Sequence, residues 1–306
     1  MPRKPRLHTR NQPLMELYNA ITSGDLWLRP DESFNQRFIG ILAKAQEYAP
    51  MPLHAGAVLE DRWTLLGSPE TVKQQADFMC YFTRQLTLLA QRRDKNCTGP
   101  IFTRRYKAIE VSIEESAQID RFAATLMQPS DAGLVASPLQ WTGVPFAQAI
   151  LTGTPLKGIW VDYEAFEKAK TRGEDVSEAD FTEDVELLLE PLPCWKDLPP
   201  KQYRQAVWNL VGPMEPGPVR LSEKNQVLEA VPSTAIGPRY LVNNPRRSGA
   251  GLYATGTATW RIMEQRLKSI VERYRNASKQ IRQGFTNVAF PSNCFPPSLP
   301  FAPAHP

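Results

Sequence analysis

The front of the chain alternates between two hydrophobic rhythms, one of period two and one of period three to four. Residues 15–22 (MELYNAIT) are rich in strand formers. Asp31 stands where an N-cap belongs, ahead of a helix over 32–49 whose Phe34, Phe38, Ile41, Leu42 and Ala45 recur every three or four positions. Pro50 and Pro52 close that helix. Two short apolar runs, 53–59 and 63–66, flank the polar Glu60-Asp61-Arg62 and predict a hairpin. Ser68 and Pro69 offer an N-cap and a first-turn proline for a long helix over 70–93. Residues 106–111 (YKAIEV) predict another strand. Ser112, with Glu115 three residues later, has the spacing of a capping box for a helix near 114–127. Strand, helix, strand, strand, helix, strand, helix is the order of a ferredoxin-like βαββαβ core with one helix appended, so the expected class is α+β. The order alone says little about function.

Beyond residue 150 the rhythm breaks. Residues 151–210 are acidic and punctuated by proline, and predict short helices and loops, an acidic helical connector. From 211 to 250 Gly and Pro are scattered, as in GPMEPGP, and no period is sustained, which predicts an extended arm. A strong helix follows over 256–283, with Met263, Leu267, Ile270, Tyr274, Ala277 and Ile281 as its apolar seam and Gly284 at the expected C-terminal cap. The seam either packs on the core or pairs with a second copy. The proline-rich FPSNCFPPSLPF cannot be helical, and its aromatics predict a strap docked on the protein. The expected organisation is a domain over 1–150, a connector over 151–210 and a basic, mainly helical C-terminal extension over 211–306.

Composition narrows the chemistry. The 306 residues are 42% hydrophobic and 22% charged, ordinary for a chain that buries a core. The three histidines (His8, His54, His305) and four cysteines (Cys80, Cys97, Cys194, Cys294) show no zinc-ligand spacing, so no metal and no cofactor are expected. Sparse thiols, and a basic start (MPRKPRLHTR) without a following apolar stretch, point to the cytoplasm. No apolar run approaches the roughly 20 residues of a membrane helix. The net charge of +4 conceals a division. Residues 1–150 hold 17 Lys+Arg against 15 Asp+Glu, 151–200 hold 5 against 12, and 201–306 hold 14 against 5. The basic tail suggests a polyanion partner, or else is solvated surface charge.

Four segments in order resemble one family. HAGAVLEDRWTLL (54–66), DFMCYFTRQLTLLAQRR (77–93), GPIFTRRYKAIEVS (99–112) and DAGLVASPLQWTG (131–143) are similar to the second and third strands, the long middle helix, the fourth strand and the closing turn of the single-tyrosine HUH transposases, in the branch of REP-associated tyrosine transposases. PLPCW (191–195) and FPPSLPF (295–301) resemble a longer subgroup. The resemblance implies DNA cleavage beside hairpins: a His-x-His pair on the third strand holds a divalent metal, and a tyrosine on the following helix attacks the phosphate.

Here the His-x-His pair falls on Arg62-Trp63-Thr64 and the nucleophile on Ala124, while Gln128 keeps a polar group one turn later. A guanidinium repels a metal and a lone hydroxyl holds it poorly, so the chain is expected to be catalytically inactive. Tyr81, Tyr106 and His54 read as packing or buried structural residues, and Asp61 as a ligand without an obvious partner. Nucleic-acid contacts rest on other residues. The candidates are the N-terminal arm (Arg3, Lys4, Arg6, Arg10), Arg92, Arg93 and Lys95 after the long helix, Arg104, Arg105 and Lys107 around Tyr106, Arg62 at the former metal position, and Arg266 and Arg273 in the basic tail. Trp63 either faces the core or stacks on an unpaired base. The reading expected is a domesticated, inactive transposase relative that binds hairpin or single-stranded DNA, with RNA as a possible partner. It would act as a regulator or as the recognition subunit of a complex, with a second copy in a homodimer, or a protein that supplies catalysis, as the expected partner. The alternatives are a protein-interaction scaffold and a residual nuclease.

Overall fold

The computed structural model describes residues 7–21, 25–102, 105–212, 251–285 and 287–294. The arm over 213–250, Lys4, Arg6, Arg104 and the strap beyond 294 lie outside the described residues. The front half folds as β1 (Leu14–Ala20), α1 (Glu32–Tyr48), β2 (Leu53–Val58), β3 (Arg62–Gly67), α2 (Val72–Arg93), β4 (Lys107–Val111) and α3 (Glu115–Leu126). These strands lie in the order β2-β3-β1-β4, each neighbouring pair antiparallel. The α1 crossover therefore skips β3 and the α2 crossover skips β1. Two interleaved split βαβ units of this kind make an α+β, ferredoxin-like sheet.

The alternation along each strand decides what each face receives. Trp63 and Leu65 turn toward α1 and α2, where Trp63 meets the Phe82 ring edge-on at 5.1 Å and Phe82 meets Phe38 at 5.6 Å. Trp63 is fully buried, so it is a core residue and no platform for a base. Glu16, Tyr18 and Thr64 turn to the opposite face, under α3. There Glu16 and Arg121 form a buried ion pair, and Arg121 also lies 5.0 Å from the Tyr253 ring. Burial raises the Glu16 carboxyl above its usual range, and Arg121 offsets part of that rise.

Two expected caps are corrected. Thr71, not Ser68, caps α2, accepting from the Gln74 amide at 3.0 Å. Ser68 instead meets His54 Nε2 at 2.8 Å. Helix α3 has Glu114 at its N-cap with no side-chain cap bond, and Glu115 accepts from Trp195 Nε1 at 3.3 Å, so the Ser112–Glu115 box does not form. Asp31 caps α1 as expected, accepting from the Phe34 amide at 2.7 Å.

The stretch expected as a helical connector contains strands. After the short α4 (Gln128–Asp131) and α5 (Phe146–Thr152), β5 (Leu156–Val161) pairs antiparallel with β6 (Thr182–Leu187) across α6 (Tyr163–Thr171), and α7 (Pro200–Val211) follows. The pair lies on α1 so closely that a Cβ on Gly40 would strike the Ile159 carbonyl. Leu156, Leu187, Leu192, Trp195 and Val207 join the same core as the first sheet, while the acids of β6 face outward.

The C-terminal part is pinned at both ends. β7 (Leu252–Tyr253) adds in parallel to the edge of β4, and α8 (Thr257–Arg282) follows. Glu114 anchors the start of α8, accepting from the Thr255 and Gly256 amides at 3.0 and 3.2 Å and from Thr259 Oγ1 at 2.7 Å. Burial alone would raise this carboxyl, but its donors outweigh that and hold it down at about 2. Gly284 ends the helix in the left-handed region at φ 94. Of the seam, Met263, Ile270 and Ala277 are buried, and Tyr274 packs on Phe290 of the strap at 5.3 Å. The strap also holds the N-terminal segment: Leu7 bridges Cys294, and the His8 amide donates to the Asn293 carbonyl at 2.8 Å.

Two outcomes test these anchors. Arg121→Met strands a buried carboxylate and should cost about 3–5 kcal/mol in urea unfolding, whereas Glu16→Leu combined with Arg121→Met should recover most of the loss. Glu114→Ala should cost about 1 kcal/mol, with hydrogen-exchange protection falling at Thr255–Trp260 before the rest of α8.

Candidate functional site

The face beneath α3 is where the aligned positions meet. Tyr18 on β1 has Thr64 and Lys107 as its cross-strand neighbours, and Arg62 lies opposite Ala20 one step along. The short helix after α3 brings Gln128 over β3. Its Nε2 donates to Thr64 Oγ1 at 2.8 Å, and the Thr64 hydroxyl lies 3.2 Å from Gln128 Oε1. Thr64 is buried and Gln128 half-buried, and the two polar side chains satisfy each other. Arg62 is held bidentately by Asp61, Nε to Oδ1 at 2.8 Å and Nη2 to Oδ2 at 2.9 Å. Asp61 thus has the partner that its sequence context did not reveal, and both side chains are largely buried. Ala124 offers no nucleophilic atom. Among the described residues, no three His, Cys, Asp or Glu side chains stand close enough to hold a metal ion.

One phenol on this face escapes sequence reading. Tyr18 looks like an ordinary strand former, but the sheet puts it beside Thr64, with Lys107 Nζ 5.4 Å from its ring. Burial first, and Glu16 next, push its pKa up to about 12. A phenol held that far from ionising is a poor nucleophile. The period-two pattern of β1 and β3 was the available signal, since it places Tyr18 and Thr64 on one side.

Tyr81, Tyr106, His8 and His54 are engaged in packing or buried hydrogen bonds. Tyr81 stacks on Tyr48 at 5.4 Å. Tyr106 is buried and accepts from Gln75 Nε2 at 3.2 Å, and Gln75 Oε1 lies 2.8 Å from His8 Nε2. His54 is buried between Ser68 Oγ at 2.8 Å and the Glu190 carbonyl at 3.0 Å.

The basic candidates separate into two groups. Arg93 donates to Asp31 at 2.5 Å and to the carbonyls of Trp27 and Arg29, and caps the Phe34 ring, so it fastens the loop ahead of α1. Arg92 lies over the Tyr163 ring at 3.8 Å, lining a small crevice with Arg37 and Trp160. These two, with Arg62, are held by intramolecular contacts that join residues distant or adjacent in sequence. Lys95, Arg105 and Lys107 are exposed. Arg266 and Arg273 line a separate cleft between α8, the N-terminal segment and the strap.

No protein-family model matches the sequence, and no curated protein matches it. Among solved structures, the chain is similar to a REP-associated tyrosine transposase bound to a REP hairpin, at 15% identity and a TM-score of 0.39, over 50% of this chain and 87% of that one.

The buried histidines generate a pH dependence. Burial lowers His54 from its ordinary 6.5 to about 4, against the raising effect of its carbonyl partners, and burial lowers His8 as well. The unfolded chain takes up these protons first, so stability is full above pH 6.5 and declines as pH falls toward 4. His54 should account for roughly 2–3 kcal/mol of that decline. Urea midpoints across this range should flatten in His54→Gln. A slope that survives the substitution assigns the effect elsewhere.

Proposed function

We propose that the chain is a non-catalytic, transposase-like protein that binds hairpin or single-stranded nucleic acid, as a regulator or the recognition part of a larger assembly. The observation that carries the reading is the Thr64–Gln128 pair. Where the resemblance puts the second histidine of the metal pair and its polar neighbour, the side chains are neutral and bonded to each other. The adjoining cation is neutralised by Asp61, and the nucleophile position is an alanine. Loss of those groups leaves phosphate binding intact, since phosphate contacts draw on other side chains. Exposed Arg105 and Lys107 at the sheet rim, and the charge excess of residues 201–306, support such contacts.

A scaffold reading draws on one observation: Arg62, Arg92 and Arg93 are engaged within the protein. The two readings part in one experiment. Labelled hairpin and single-stranded oligonucleotides should bind with an affinity that falls steeply with salt, by roughly 0.7–0.9 in log–log slope per phosphate neutralised. Incubation with Mg²⁺ or Mn²⁺ should leave no protein–DNA adduct on denaturing gels. Binding to neither oligonucleotide would favour the scaffold, and a covalent adduct would overturn the inactive assignment.

A further inference from the structure

Helix α8 presents a cleft of about 350 Å³. That volume lies within the range of sites that hold small ligands, roughly 300–1,000 Å³. Its long wall is α8, and its other sides come from Thr9 of the N-terminal segment and Asn293 of the strap. Three parts of the chain, far apart in sequence, therefore build it. The N-terminal segment is fixed there by Thr9, whose amide and hydroxyl donate to Glu110 at 2.7 and 2.6 Å, and by Arg10, which donates to the Val111 carbonyl at 3.1 Å. The strap is fixed by the Leu7–Cys294 bridge and the Tyr274–Phe290 contact. Both short walls are thus set in place by the folded chain itself.

The lining has the chemistry of an anion site. Arg266 and Arg273 stand seven residues apart on one face of α8, with Gln265 and Ser269 between and beside them and the buried Ile270 as an apolar floor. Among the described residues, no carboxylate lines the cleft. Neither arginine forms an ion pair with a carboxylate among the described residues, whereas Arg62, Arg93 and Arg121 each do. Behind Thr9, Arg10 lies 3.7 Å from Glu110, so that carboxylate is already shared among Thr9 and Arg10. Burial lowers the Arg10 pKa, Glu110 raises it and Arg266 lowers it, and Arg266 also acts to lower Glu110, so its charge lies near both members of that pair. Seven residues of helix separate the two guanidinium stems by about 10 Å along the axis. That spacing suits successive charges of a chain better than one small anion.

We infer that this cleft is a phosphodiester-binding channel, with Arg266 and Arg273 each contacting a phosphate of one nucleic-acid strand and the side-chain amides and hydroxyls of its walls contacting sugar and phosphate oxygens. The inference rests on the nucleic-acid reading above and assigns it a place. Arginine suits the role because its planar fork donates two parallel hydrogen bonds to one phosphate.

The test uses the full chain and fluorescence anisotropy with a labelled hairpin carrying a single-stranded flank, made once as DNA and once as RNA. Replacing both arginines, Arg266→Gln and Arg273→Gln, should weaken binding about tenfold or more and reduce the log–log salt slope by about 1.4–1.8. Arg266→Lys with Arg273→Lys should keep the slope while recovering only part of the affinity, because charge is retained and the fork is lost. Both positions are exposed, so unfolding midpoints should not move. Arg105→Gln with Lys107→Gln serves as a second pair, away from the cleft. Wild-type binding that persists unchanged in the Arg266/Arg273 double variant would sink the cleft assignment and leave the nucleic-acid reading standing. Failure of the wild type to bind either probe would remove both. Inorganic phosphate alone at millimolar concentration should produce no thermal shift, and a shift that depends on the two arginines would assign the cleft to free phosphate instead.

Discussion

The buried pair of Glu16 and Arg121 is the joint on which the rest of the architecture depends. Glu16 lies on the central strand β1 and Arg121 on α3, so the pair fixes the helix across the sheet face that α1 and α2 leave uncovered. A carboxylate with no exposure to solvent is tolerated only when its counter-charge is held in place. Arg121 is held from its other side by the Tyr253 ring, and Tyr253 in turn donates to Asp120 at 2.5 Å. One guanidinium therefore joins the ferredoxin-like sheet, its covering helix and the strand that leads into α8.

Two consequences follow from that joint, one at each end of α3. At its C-terminal end the chain turns into the short helix that carries Gln128, which closes over Thr64. At its N-terminal end Glu114 gathers the amides and hydroxyls that open α8. The same helix thus seals one polar face of the sheet and projects a basic helix from its edge. The division of charge in the sequence acquires a structural meaning: the acids of 151–200 face solvent on β6 and its neighbours, well integrated with α1, while the arginines of α8 remain on a surface without carboxylate partners among the described residues.

Much of the first sheet was legible because local signals and tertiary packing agree. Asp31 and the five apolar positions of α1 behave as their spacing predicts, since cap and seam need nothing beyond the helix and its neighbour. The failures share a cause. Ser68 has the right residue type for a cap, but a buried histidine 14 positions earlier takes its hydroxyl. The β5–β6 pair was hidden because its outward positions are acidic, and those charges masked the period-two pattern of Val185 and Leu187. Within the site, alignment of motifs anticipated Thr64 and Gln128 as neighbours. It did not anticipate Tyr18, whose role appears only in cross-strand register, or the capture of Arg93 by Asp31, 62 residues away.

The contrast between Arg62 and Arg266 carries the functional argument furthest. Both are cations beside positions where the chain was expected to meet phosphate. Arg62 sits where a bidentate carboxylate already occupies its fork, and side-chain exposure there is only 14%. Drawing it away toward a phosphate would leave Asp61 largely buried and uncompensated, which costs more than a surface phosphate contact returns. Arg266 forms no ion pair among the described residues, and its charge acts on both Arg10 and Glu110. An anion at the first position must break an ion pair, whereas at the second there is no ion pair among the described residues to break. On the proposed nucleic-acid reading, an anion therefore meets less opposition at a helix on the sheet's edge than at the face that the family resemblance points to.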